Sequence, residues 1–257
     1  MIRNHTILLI IIVNGIMGFR NLQVIEDELS YKALIHMPKI GTNDNTIFPL
    51  LLYLHGAGEF GTDLRKLIEP GTKGTPCHEL EFGTAVQALQ EDFIVVAPQE
   101  SAYGWNPEKI SKFIQEFLLV KLANKIDTRK IYITGHSLGG SGALLIAAAT
   151  KKFAACVPVA PAGGVPPHRL YGIPIWLFHG TNDLVVPSHY SEHLYKTLYA
   201  SGQDVQLTLY PDAPTPPGWE TSIGHASTIP AYATEDLYLW LLSRQLPADR
   251  TPFHRIN

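Results

Sequence analysis

The sequence predicts an α/β fold, a mostly parallel, doubly wound sheet flanked by helices, and three observations lead there. Extended runs and helical runs alternate through the second half of the chain. Those extended runs are apolar almost without a break, as strands are when helices cover both faces of a parallel sheet. A β-branched run also passes directly into a small-residue helix at "KIYITGHSLGGSGALLIAAAT", residues 130–150. The 257 residues, 46% of them apolar, suffice for one sizeable core, and no repeat or linker divides them. A single domain over 21–257 is expected, behind a distinct N-terminal segment.

In that segment, "MIRNHTILLIIIVNGIMGFRN", Arg3 and His5 precede an apolar run from Ile7 to Val13, followed by Gly15 and Gly18. Residues 1–20 therefore read either as a secretory signal peptide or as an N-terminal strand; the run is too short for the roughly 20 residues that span a bilayer. The first reading places the protein outside the cytoplasm and the second leaves it inside. Strands follow at 29–37 and 48–56, then a glycine-rich polar loop with no strand until "FIVVAPQ", 93–99. Residues 107–123, "PEKISKFIQEFLLVKLA", carry apolar residues at helical spacing, with Pro107 in the first turn and Glu108 beside it. Then come a strand at 130–134, a helix at 137–150, strands "AACVPVAPAG" and "IPIWLFHG", a helix at 187–201, a strand "VQLTLYP" and a last helix "AYATEDLYLWLLSRQ". The proline-rich "PDAPTPPGWETSIGH" reads as a loop within the domain.

Lysine and arginine number 20 against 23 acidic residues, with no basic block, so the electrostatic footprint of a nucleic-acid binder is missing and a small, weakly charged ligand fits better. Two scattered cysteines, Cys77 and Cys156, are expected as small buried apolar groups without a role.

Gly135-His136-Ser137-Leu138-Gly139 matches G-x-S-x-G. Five residues are a short string, and the flanks carry the argument. A strand-to-helix turn tight enough to expose a serine hydroxyl strains the serine backbone and needs glycines two residues to either side. The following helix brings its N-terminal amides to the place where an oxyanion would form. A serine needs a base to become nucleophilic, and on such a turn the partners follow in the order serine, acid, histidine. Asp183 lies just beyond the strand "IPIWLFHG", where open α/β sheets bind ligands, and is the expected acid; Asp212 is the second choice. Of the later histidines, His189 and His193 sit four apart on a predicted helix and lack a third metal ligand, and His254 is in the tail. His225, in a glycine-containing loop after the last strand, is the expected base. "YLHGAGEFG", 53–61, supplies a sharp turn whose Ala57 N–H would complete an oxyanion hole with the N–H of Leu138. It lacks the G-K-[ST] of a phosphate loop.

These residues resemble the α/β-hydrolase serine esterases of the polyhydroxybutyrate-depolymerase-like and feruloyl-esterase-like group, related to phospholipase/carboxylesterases and prolyl oligopeptidases. The resemblance runs from about residue 29 to 243 through "LYLHGAGEFGTD", "VVAPQ" with "GWNPE", "IYITGHSLGGSGA", "PVAPAGG", "IPIWLFHGTNDLVVP", "VQLTLYPDA" and "GHASTIPAYATEDLYLWLLS". It implies Ser137, Asp183 and His225 as a triad, with Ala57 and Leu138 donating to the oxyanion and no metal or organic cofactor. Two departures stand out. Phe60 replaces the arginine usual in the first loop, which makes the mouth more apolar. Residues 214–223, "PTPPGWETSI", interrupt the usual passage from "YPDA" to "GH". The insertion is expected either to rim the acyl or alcohol pocket, with Trp219 stacking on substrate, or to be a surface loop. Trp105 is a second aromatic expected in the pocket wall, and Glu59 is expected to anchor its loop by hydrogen bonds. The expected activity is ester hydrolysis on small soluble substrates. A peptidase or thioesterase on the same triad, and a silent binding protein of the same fold, are the alternatives.

Overall fold

The computed structural model describes residues 18–26, 31–39 and 46–256. The signal-like run therefore lies outside the described residues. The sheet has eight strands in the order β1-β2-β4-β3-β5-β6-β7-β8. They are β1 (Gln23–Glu26), β2 (Lys32–His36), β3 (Phe48–Leu54), β4 (Ile94–Gln99), β5 (Ile126–His136), β6 (Ala155–Val159), β7 (Ile175–Gly180) and β8 (Val205–Tyr210). From β4 onward across the sheet every pair is parallel; β1 and β2 form an antiparallel margin, β2 lying antiparallel to β4. This is the mostly parallel sheet expected. β3, β4 and β6 are buried along their whole length, because helices pack on both faces.

Two apolar clusters, one on each face, hold those layers together. On one face Leu50, Leu52, Ile131 and Ile133 meet Ile110, Phe113, Ala143 and Ala147. On the other, Leu51, Tyr53, Tyr132 and Val157 meet Leu80, Leu89, Tyr232 and Tyr238. The alternation of Leu50/Leu52 against Leu51/Tyr53 is the period-2 pattern of a strand delivering side chains to both faces. The open ends of β3, β5 and β7 thus point their C-terminal loops, carrying Gly56, Ser137 and Asp183, to the same edge of the sheet.

The glycine-rich region expected as loop holds two short helices, α1 (Pro76–Phe82) and α2 (Gln87–Glu91). The signals for α1 were legible: the Thr75 hydroxyl accepts from the His78 N–H, Pro76 occupies the first turn, and Gly83 ends the helix at φ +70°. Glu81 of α1 is buried and accepts the main-chain N–H groups of Arg20, Asn21 and Leu22, docking the segment that leads into β1. The expected helix 107–123 runs as α3 (Pro107–Lys112), a π-helical stretch Phe113–Leu118 and α4 (Leu119–Lys121). The wider turn lets Phe113 and Phe117 stack at 5.5 Å. After α5 (Leu138–Thr150) and α6 (His189–Ala200), the expected last helix is two, α7 (Thr228–Tyr232) and α8 (Glu235–Leu242). Thr234 between them is extended, and the corner is held by hydrogen bonds that tie the Tyr232 hydroxyl to Thr134 and donate the Tyr238 hydroxyl to the Tyr232 carbonyl. Periodicity cannot report such long-range bonds.

Candidate active site

The turn from β5 into α5 places Ser137 at φ 55°, ψ −118°, a backbone that L side chains rarely adopt. It persists because the chain has nowhere else to go. The Ser137 N–H donates to the Val159 carbonyl at 2.9 Å, and a Cβ on Gly135 or Gly139 would run into the Gly139 carbonyl or that of Leu54. A Cβ on Gly140 would lie 2.8 Å from the Val159 oxygen. The three glycines let α5 dock directly on β3 and β6, and that docking holds the serine strained.

Asp183 follows β7 and is buried. Its Oδ1 accepts the N–H groups of Val185 and Val186, both at 2.9 Å, and its Oδ2 accepts from His225 Nδ1 at 2.7 Å. One oxygen orients the carboxylate and the other is given to the imidazole. Asp212 is exposed in the turn after β8. The structure thus brings Asp183, and not Asp212, to His225. His225 comes from the loop between β8 and α7, with Gly224 at φ +73° so close to Asn182 that a side chain there would strike its carbonyl. His189, His193 and His254 are exposed; the first two border an open groove of about 270 Å³ with Val165 and Tyr190. Among the described residues no group of three or more His, Cys, Asp or Glu side chains could hold a metal ion.

Histidine side chains pin each of the three loops. His136 Nε2 donates to the His225 carbonyl at 2.7 Å, tying the serine turn to the histidine loop, with the two rings 4.6 Å apart. His179, fully buried under Asp183, donates from Nε2 to the Val186 carbonyl and accepts the Ser191 hydroxyl at Nδ1. His55 Nδ1 donates to the Gly56 carbonyl at 2.7 Å while Nε2 accepts the Glu100 N–H. Burial lowers all three, His55 to about 4 and His136 to about 3, so near neutrality they are uncharged clamps. Sequence reasoning missed them, because a histidine before a turn carries no signal of what its ring will reach.

The loop after β3 passes beside the serine: a Cβ built on Gly56 would lie 3.6 Å from Ser137 Cβ. Ala57 opens a 3-10 turn, Ala57–Glu59, and is exposed, while Leu138 is the first residue of α5. Both amides stand where a turn has no carbonyl of its own to offer them. Glu59, from the same turn, folds back so that Oε2 lies 3.2 Å from a Cβ built on Gly56 and, though buried, has no hydrogen-bond partner. Burial is the main cause that raises its carboxyl to about 7. A carboxyl raised in the folded state contributes most below its unfolded value and loses that contribution as the pH climbs through the folded one. Between pH 4.5 and 8 the wild type should therefore lose roughly 3 kcal/mol that Glu59→Gln does not lose. Denaturant unfolding at the two pH values checks this; parallel pH dependences would refute it.

Trp105, expected in a pocket wall, is 5% exposed. Its indole N–H reaches back to the His55 carbonyl at 3.3 Å, and its ring fills the space where Gly142 lacks a side chain. It supports the loop from behind. Trp219 is 50% exposed and lies across Gly58 and Gly71. Phe60 packs edge-on against His55 and faces Tyr103 at 5.7 Å. Cys77 and Cys156 are free and buried.

The strand order, the parallel core and the loops gathered at its C-terminal edge define the α/β-hydrolase fold. The family described as PET hydrolase-like matches residues 115–208. Cutinase est1 of Thermobifida alba is 24% identical over 150 residues, 55% of this chain and 50% of that protein. Among solved structures, a thermostable esterase is 28% identical with a TM-score of 0.65, covering 87% of this chain and 62% of the other. An esterase of the fungus Rhizomucor miehei shares the fold at 15% identity and a TM-score of 0.60, covering 88% of this chain and 85% of its own. The chain thus spans about half the length of the cutinase and under two thirds of the thermostable esterase. No helix among the described residues is long and apolar enough to cross a membrane.

Proposed function

We propose that this chain is a serine carboxylesterase that acts on small soluble esters through an acyl-enzyme on Ser137. The observation that carries the reading is the buried Asp183–His225 contact of 2.7 Å, tied to the turn that carries the strained serine by the His136 bond to the His225 carbonyl. The likeness to esterases and a cutinase agrees with it.

In this mechanism Asp183 holds His225 with its proton on Nδ1, which leaves Nε2 free to accept the Ser137 hydroxyl proton. Ser137 Oγ bonds to the ester carbonyl carbon, and the carbonyl electron pair moves to oxygen, where the Ala57 and Leu138 amides receive the charge. The C–O bond to the alcohol then breaks as His225 returns the proton to the leaving oxygen. Water, deprotonated by the same Nε2, repeats the sequence on the acyl-serine and releases the acid. An alkyl fluorophosphonate tests the assignment directly, because Ser137 Oγ would displace fluoride and leave a stable phosphonyl ester. A mass increase on the peptide holding Ser137, with loss of p-nitrophenyl acetate hydrolysis in proportion, is expected. Labelling elsewhere, or activity that survives full labelling, would reject it.

A further inference from the structure

We propose that the 214–223 insertion is a strap and Trp219 its clamp, a positioning residue that holds the loop Gly56–Phe60 in the conformation that presents the Ala57 amide. The inference rests on the esterase reading above for what the amide does, but the clamp itself is a matter of packing. The indole lies across two glycines from different turns. A Cβ on Gly58 would fall 2.7 Å and 2.9 Å from Trp219 Cη2 and Cζ2, and one on Gly71 would fall 2.6 Å and 2.9 Å from Nε1 and Cδ1. Its two ends therefore rest on bare backbone in the first loop and in the turn Pro70–Thr72. A ring so placed fixes the separation of those turns.

The strap is itself tied to the acid and the base. At its foot the Asn182 side chain bonds both the N–H and the carbonyl of Ala213, and the Ala226 N–H donates to the Pro214 carbonyl. The Leu184 N–H, next to Asp183, donates to the Ile223 carbonyl. Within the strap the Ser222 N–H donates to the Trp219 carbonyl at 2.8 Å and the His225 N–H to the Ser222 carbonyl at 3.1 Å. A short hydrogen-bonded path thus leads from the clamp to the histidine. The insertion joins the loops of Asp183, His225 and Ala57 into one unit, although it carries none of those groups. This differs from a tryptophan that stacks on substrate, since here the ring's contacts are with the protein's own backbone.

Five proteins separate the readings: wild type, Trp219→Ala, Trp219→Phe, Gly71→Ala and the Trp219→Ala/Gly71→Ala double variant. Gly71 has an ordinary backbone and is no part of the Gly56–Phe60 loop, so its added methyl displaces the indole without touching the amide donors. The first readout, independent of any activity, is amide hydrogen exchange of the peptide covering Gly56–Phe60. It should quicken at least tenfold in Trp219→Ala and Gly71→Ala and return toward wild type in Trp219→Phe. The second is p-nitrophenyl acetate hydrolysis, where kcat should fall about 10- to 100-fold with KM within twofold. Gly71→Ala added to Trp219→Ala should do nothing further, because both remove one contact. Unchanged exchange in Trp219→Ala would overturn the clamp, as would a KM that rises with acyl length at constant kcat, the mark of a substrate wall. A wild type inert toward esters would reject the esterase reading while the exchange experiment still decided the clamp.

Discussion

Replacing Ser137 by alanine should abolish ester hydrolysis while leaving the protein folded, with kcat falling by about four to six orders of magnitude. The residual rate would come from the amides and the binding surface alone. Ser137→Gly should be as inactive, but more stable. Serine at φ 55°, ψ −118° stores strain of order 1–3 kcal/mol, and alanine retains it, whereas glycine does not. Part of that relief is offset by the greater unfolded-state entropy of glycine, so Ser137→Gly should exceed Ser137→Ala by about 1 kcal/mol in denaturant unfolding. Circular dichroism, p-nitrophenyl acetate and butyrate turnover and the unfolding midpoints together read the result. A Ser137→Ala protein that retains a tenth of wild-type turnover would remove the serine from the mechanism.

Asp183→Asn should cost about four orders of magnitude in kcat with little structural change. Val185 and Val186 both donate to Oδ1, so an asparagine would keep its carbonyl oxygen there and turn its NH2 toward His225. Nδ1 must then accept, the ring proton moves to Nε2, and the atom that should take the serine proton already holds one. Asp212→Asn, on an exposed residue, should change turnover by less than twofold. Steady-state kinetics on both variants decides; a loss under tenfold for Asp183→Asn would reject its role.

Much of this was legible along the chain. The nearly continuous apolar runs of β6 and β7 announced a covered parallel sheet, since a strand buried on both faces has no polar side to show. The glycines around Ser137 announced a close backbone approach, and the sheet and helix meeting there require it. What failed did so for local reasons. The region before β4 reads as a glycine-rich polar loop, yet Thr75, Pro76 and Gly83 in it are the start and stop signals of α1. An aromatic near the ligand edge looks the same in sequence whichever way it faces, and Trp105 is buried with its indole N–H toward the His55 carbonyl.

The sequence by itself determined the sheet class and the glycine-flanked turn that strains Ser137, because these depend on periodicity, on small residues and on spacing within one turn. Only the tertiary structure brought Asp183 rather than Asp212 to His225, buried Trp105 behind the first loop, set three neutral histidines beneath the loops and laid Trp219 across Gly58 and Gly71. Each of those is a contact between residues far apart in the chain, fixed by how the layers pack rather than by the local preference of either partner.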